Sequence, residues 1–439
     1  MSAERDQVEP LLPVELGPAR VRYAQGVKAG DWVFATGHLA RDVVTGLDPA
    51  VDDARAPHYD KPRHEREADR IYRNIEAVLR AGGAGFADVA RLDQYFLDPR
   101  ALDPYHTVRR TRFGPVVPPS TSVIVQGLAL PGAAMEVQVI AALPTAGAPQ
   151  KLRHPDLDGP PTSGYSSALH VGDLVFCAGA FASAAPGQPS RRGLALAASM
   201  PEGAQWRGQP VKLETEFIIQ EKLAPALALA GCTLADVVKA QVYLTHVEDT
   251  AAFNQVWNRH FADSPAATTI VICRNPGLGL VDARIEINAL AVAPGAARPK
   301  RPIASAVVPA YRGHVAAVRA GDFLFLSGLM ACNAEGVLPE AAADARQPYY
   351  QCPAAAQASA ILRNAETICR AAGARLGDVV RIQQFHTDLA EFYPVYRVWQ
   401  EFLPGRALPI SALEVPALPV PGCTLLMDLW VYAPASEAC

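Results

Sequence analysis

The chain has little of what marks an extracellular, membrane-spanning or nucleic-acid-binding protein. Its eight cysteines form no CxxC pair and none lies in the first third, so buried free thiols are expected rather than a zinc cage or a disulfide framework. No window offers eighteen unbroken apolar residues, and the opening MSAERDQVEPLLPVELGPAR lacks the apolar stretch of a secretion signal. The expectation is a soluble, cytoplasmic protein with no membrane partner. Lysine and arginine together number 40 against 44 acidic residues, a net charge of −4 with no basic run, which leaves no electrostatic footprint for a nucleic-acid backbone. The short cluster RRTRF has no stacking aromatics in sequence with it. His58 and His64, in ARAPHYDKPRHERE, have no second cluster of ligands, so no metal site is expected.

Repetition is what the sequence does have. Half of the 439 residues are hydrophobic and 19% are charged, the balance of a globular protein with a large interior, and the length corresponds to about three domains. Three stretches match in pattern and order. The first element is a strand pair around Gly-Asp: VKAGDWVFATGHLA, HVGDLVFCAGAFAS and VRAGDFLFLSGLMA. Each second strand ends on a small residue and a glycine, Thr36-Gly37, Ala178-Gly179 and Ser327-Gly328, which predicts that backbone there approaches another group closely. A helix follows, its apolar stripe carried in the first copy by Ile71, Ile75, Val78 and Leu79, with Gly82, Gly231 and Gly373 expected to stop it and Pro225 expected to kink the second copy's helix.

Next come Asp88, Asp236 and Asp378, able to close a short turn, and a half-buried strand. A second helix follows (YHTVRRTRF, FNQVWNRHF, YPVYRVWQEF), then a proline-bearing turn and two strands. Pro/Gly-rich linkers separate the copies, which span residues 12–143, 160–293 and 306–434.

These elements together resemble the reactive-intermediate deaminase family, RidA (YjgF), over nearly the whole chain three times. The resemblance implies an α+β chorismate-mutase-like fold in each copy. It also implies that the three tandem modules close into an intramolecular pseudo-trimer, sheets inward and helices outward, with a ligand cleft at each interface between modules. A monomer is the simplest oligomeric state, further association being open. The family activity is hydrolysis of small enamines and imines without cofactor or metal. The family's arginine after the proline-bearing turn falls on Ser120, Ala267 and Ile410, and is lost in every copy.

Other cleft positions vary. The early aromatic hydroxyl falls on Tyr23 and Tyr165, with His314 in the third copy; the last-strand carboxylate falls on Glu136, Glu286 and Asp428; the polar residue of the second helix falls on His106, Asn254 and Tyr396. Acid–base work needs a titratable group near a water and a polarised electrophile, and the first copy alone combines Tyr23, His38, His106 and Glu136 as catalytic candidates. Thr36, Gly37, Ser120, Tyr165, Gly179, Asn254, Glu286, His314, Ser327, Gly328, Tyr396 and Asp428 are substrate-binding candidates, the glycine pairs as backbone donors to an oxyanion. A second set, His314, Ser327, Glu414 and Asp428, belongs to the third copy. Tyr349 and Tyr350, in RQPYYQCP, lie in a loop that reads equally as a lid or as a mobile surface segment. Two further function classes stay open: a non-catalytic small-ligand-binding or regulatory protein, and a non-hydrolytic isomerase or cyclase.

Overall fold

The protein is described by a computed structural model, over residues 8–18, 20–42, 46–52, 61–159, 163–203, 208–342, 344, 346 and 352–434. His58, Tyr349 and Tyr350 lie outside the described residues.

Each copy builds one mixed sheet. In the first, the order is Val8–Leu16, Val21–Ala29, Trp32–His38, Met135–Ala142, Val89–Phe96 and Ser120–Ile124, with only the last pair parallel. The second and third repeat that order from Ala168–Val171 and Ala317–Ala320 inward, and the third gains an edge pairing from Gly127–Leu128 of the first copy. The hairpin turns need a left-handed residue, and Gly30, Gly172 and Gly321 supply φ of 53°, 55° and 52°.

The Arg63–Gly82 helix lays Ile71, Ile75, Val78 and Leu79 on the first sheet, all fully buried. It stops one residue later than the pattern suggests. Gly83 takes the left-handed cap at φ 85°, whereas Gly82 is a packing glycine whose added Cβ would lie 2.5 Å from Val33. In the second copy a π-helical segment, Ile218–Leu223, interrupts the helix just before Pro225, relocating the hydrogen bonds that proline cannot complete. Asp88 and Asp236 reach back to the amides of Gly85 and Thr233, each at 2.8 Å, and so close the turn before the central strand.

The strands leave a second buried face, and sister copies cover it. Trp32 and Phe34 of the first copy meet Phe323 of the third at 5.7 Å each, and Trp32 meets Phe176 of the second at 6.0 Å. A second apolar cluster gathers Tyr95, Tyr243 and Phe385 with Val123, Val271 and Leu413. A buried polar network also joins the copies. Asp93 binds Arg91 at 2.7 Å and pairs with Arg381, Lys239 pairs with Asp428 at 2.9 Å, and Gln383 donates to Gln138 at 2.9 Å. Such charges are tolerated in a dry interior because each has a partner of opposite sign.

Candidate active site

Three crevices border the early strands of the three copies: the first and third are also lined by another copy's late strand, through Ile410 and Ser411 and through Thr268 and Ile270, whereas the second is lined from residues 157–226 alone. The first is the roomiest, about 130 Å³, against about 30 Å³ in each of the other two. Tyr23, Gly37, His38 and Glu136 of the first copy line it, with Phe392, Ile410, Ser411 and Ala412 of the third.

The strand geometry explains how these groups converge. Glu136 sits on the Met135–Ala142 strand and Gly37 on the neighbouring one; a Cβ on Gly37 would lie 2.5 Å from Glu136 Oε1, so only glycine leaves room for the carboxyl. Ser411 Oγ donates to Glu136 Oε1 at 2.6 Å, and Gln138 Nε2 donates to that oxygen at 3.2 Å and to Ser411 Oγ at 2.7 Å. Burial favours the neutral acid and outweighs these donors, so the Glu136 carboxyl is pushed up to about 7. Tyr23 donates to the carbonyl of Gly37 at 3.0 Å and lies 2.7 Å from Thr36 Oγ1; burial pushes its hydroxyl up to about 12, so it stays neutral. Burial lowers His38 to about 4. Its Nε2 lies 2.9 Å from the Gln25 carbonyl, which can only accept, so the neutral ring keeps its lone pair on Nδ1.

His106 does not join this group. Its helix, Leu102–Phe113, reaches the second copy through Arg109, which donates to the Ser163 carbonyl there and, at 3.2 Å, to Ser120 Oγ of its own copy. Burial and the neighbouring charges of Arg109 and Arg110 lower His106 to about 3. The same handover recurs around the molecule. Asn254 of the second copy meets His314 of the third at 2.7 Å, and Tyr396 of the third accepts from the Arg22 amide of the first at 2.7 Å. Each second helix therefore bonds the following copy, which one copy's sequence does not reveal.

Strand register corrects two further positions. Leu92, Ala240 and Ile382, each three residues past their strand's opening valine, pair with Ser120, Thr268 and Ile410. The second copy's counterpart of Ser120 is thus Thr268, not Ala267: the turn from the second helix is equally long in both copies, but its proline, Pro265, stands one residue further from the paired position than Pro118 does. Tyr95 and Tyr243 pair with Glu136 and Glu286, but the matching Phe385 pairs with Leu426. Asp428 lies two residues beyond, in the inter-copy polar network, so the third crevice has a leucine where the others have a carboxyl. Glu414 is spent on the Leu389 amide at 3.2 Å.

The remaining crevices are also filled by their own bonds. Gly179 and Gly328, expected as oxyanion donors, give their amides to the carbonyls of Ser120 and Thr268 at 3.0 and 3.1 Å. Glu286 lies against Gly179 with Oε2 unbonded, and burial raises it far above the carboxylate range. Tyr165 is likewise pushed up to about 12 by burial. In the third crevice Ser327 donates to the Val315 carbonyl at 2.6 Å, and burial lowers His314 to about 4.

Sequence reading missed Ser411, Gln138, Asn74 and Arg41. Ser411 adjoins a position that was singled out, but its role depends on contact with another copy. Among the described residues, no group of three or more His, Cys, Asp or Glu could hold a metal, seven free cysteines form no disulfide, and no helix is long and apolar enough to cross a membrane.

Comparison with known proteins agrees with the threefold repeat. The family model described as endoribonuclease L-PSP matches residues 15–143, 158–293 and 305–432. A RutC family protein of Pyrococcus abyssi is 33% identical over 132 residues, 30% of this chain and 87% of its own length. The mitochondrial protein mmf2 of Schizosaccharomyces pombe is 30% identical over 128 residues, 29% of this chain and 86% of its own. Among solved structures, RidA from an Antarctic Psychrobacter is 27% identical at a TM-score of 0.25, covering 30% of this chain and 98% of that one. With family matches across most of its length, the chain belongs to the RidA (YjgF) family, the family of endoribonuclease L-PSP, in three tandem copies.

Proposed function

We propose that this protein is a cofactor-independent hydrolase of the deaminase type, converting a small enamine or imine to a carbonyl compound and ammonia in the first crevice. The observation that carries the reading is Glu136, a buried carboxyl pushed up to about 7, held by Ser411 and facing a cavity lined by Tyr23 and His38. A carboxyl with that affinity can give and take a proton near neutral pH. Protonated Glu136 donates to the enamine carbon or imine nitrogen; water adds to the C=N carbon and returns a proton to Glu136. The C–N bond then breaks, ammonia leaves and C=O forms, so that C=N plus water gives C=O plus ammonia. Tyr23, a neutral hydroxyl, and neutral His38 orient substrate and water rather than supply charge.

The architecture in this reading is a monomeric pseudo-trimer of modules 12–143, 160–293 and 306–434, sheets inward and helices outward. The aromatic contacts among Trp32, Phe176 and Phe323 support it. Fusion holds the partners at high effective concentration and lets the crevices diverge. The second and third are structural seams, in keeping with their small volume and with Leu426.

The test is a panel of enamines, imines and cyclic enamides incubated with purified full-length protein, read as ammonia and carbonyl product. No release above the buffer rate, with no altered product, ends the hydrolase reading. Retained ligand binding in that case turns the assignment to a binding or regulatory protein.

A further inference from the structure

The first crevice has a cation that none of the chemistry above uses. Arg41 lines it, three residues past His38, and its guanidinium makes no hydrogen bond or ion pair with any described residue. It stands close enough to Tyr23, His38 and Glu136 to influence the charge of all three. Its backbone is held in place. The Arg41 carbonyl accepts from Asn74 Nδ2 at 3.2 Å and from Arg70 at 3.4 Å, and Asn74 also binds the Leu39 carbonyl at 3.1 Å, tying the turn to the Arg63–Gly82 helix. Arg22, the other guanidinium in the lining, is engaged by Glu15 at 3.4 Å and the Gly405 carbonyl at 2.9 Å. The Glu136 carboxyl bonds Ser411 and Gln138, and His38 bonds the Gln25 carbonyl, so neither engages the Arg41 guanidinium. Counting on from His38 and its counterparts Ala180 and Leu329, the residues in the place of Arg41 are Ser183 and Cys332, so neither sister crevice has an arginine there; the cation that lines the second, Lys222, donates to the Asp156 carbonyl at 3.3 Å.

We propose that Arg41 is the specificity-determining residue of the first crevice, holding the carboxylate of a compact monoanionic ligand whose remainder lies against Val14, Leu16, Phe392 and Ala412. A guanidinium offers two parallel N–H donors that match a planar carboxylate, and burial among apolar walls strengthens that pairing. The apolar walls and the cavity of about 130 Å³ fit a molecule of a few carbons better than a hydrated phosphate dianion. The inference rests on the first crevice being the working site, but binding tests it without turnover.

The experiment is saturation-transfer NMR on the full chain at fixed ionic strength, with pyruvate, 2-oxobutyrate, their methyl esters and inorganic phosphate as probes. Wild-type protein retains the acids and not the esters, R41Q weakens the acids about tenfold or more, and R41K recovers part of that loss. Acid binding unchanged in R41Q, esters bound as tightly as acids, no acid bound by wild type, or phosphate preferred would each overturn the proposal. Carboxylate binding that depends on Arg41, without any imine turnover, sustains it while the hydrolase reading falls. Imine turnover that R41Q leaves unchanged for charged and neutral substrates alike sinks it while that reading stands.

Discussion

At the scale of single residues, the first crevice turns on one carboxyl and the donors that hold it. Glu136→Gln keeps shape and hydrogen-bonding but has no proton to exchange, so kcat for imine hydrolysis falls by about 10²–10⁴ in steady-state assays. Stability moves the other way. The folded carboxyl keeps its proton up to about pH 7 and the unfolded one only to about 4.5, so wild type loses stability as pH rises through that window, by on the order of 3 kcal/mol at most. E136Q lacks this slope, and urea titrations across the window show its stability gaining on wild type as pH rises. Ser411→Ala removes a donor that lowers the Glu136 pKa; the alkaline limb of the pH–rate profile, where the protonated acid is lost, therefore shifts to higher pH, whereas a purely structural role for Ser411 leaves the midpoint in place. Glu136 and His38 were legible in the sequence, because a charge in an apolar strand and a histidine after a strand-end glycine both call for a reason. Arg41 was not: no sister copy repeats it, and nothing local distinguishes an unpaired arginine from a solvated one.

Glycines decide the geometry of the elements. At Gly37 an added Cβ meets Glu136, so Gly37→Ala costs about 1–3 kcal/mol and removes most turnover, as denaturant midpoints and initial rates together record. Gly83→Ala is the contrasting case: it strains the left-handed cap by about 1 kcal/mol and leaves the rate unchanged, since the cap touches no crevice residue. Element order and helix stripes could be read from periodicity, but registers could not. Counting from the turn proline placed the Ser120 counterpart at Ala267 where Thr268 stands, and counting along the last strand placed Asp428 where Leu426 stands. Strand pairing is set by partners distant in sequence, and a slip of one residue turns a side chain to the opposite face.

Across the whole molecule, the three copies share two apolar clusters and a polar network, so none has an independent interior. Phe323, packed on Trp32 and Phe34 of the first copy, is a keystone: Phe323→Ala costs about 3–5 kcal/mol. Calorimetry on wild type and F323A gives one coincident transition at a lower temperature in the variant. Separate transitions for the copies would mean that the shared clusters do not couple them.

The sequence by itself determined the triple repeat, the order of strands and helices and the glycine turns, because each depends on neighbours along the chain. Tertiary structure alone decided that Arg109 of the first copy's second helix bonds the second copy, that Ser411 of the third holds Glu136 of the first, and that the first crevice is roomier than its two counterparts. Those facts arise where segments distant in sequence meet, 54 residues apart for Arg109 and Ser163 and 275 for Ser411 and Glu136, and only the folded packing of one copy on another brings them together.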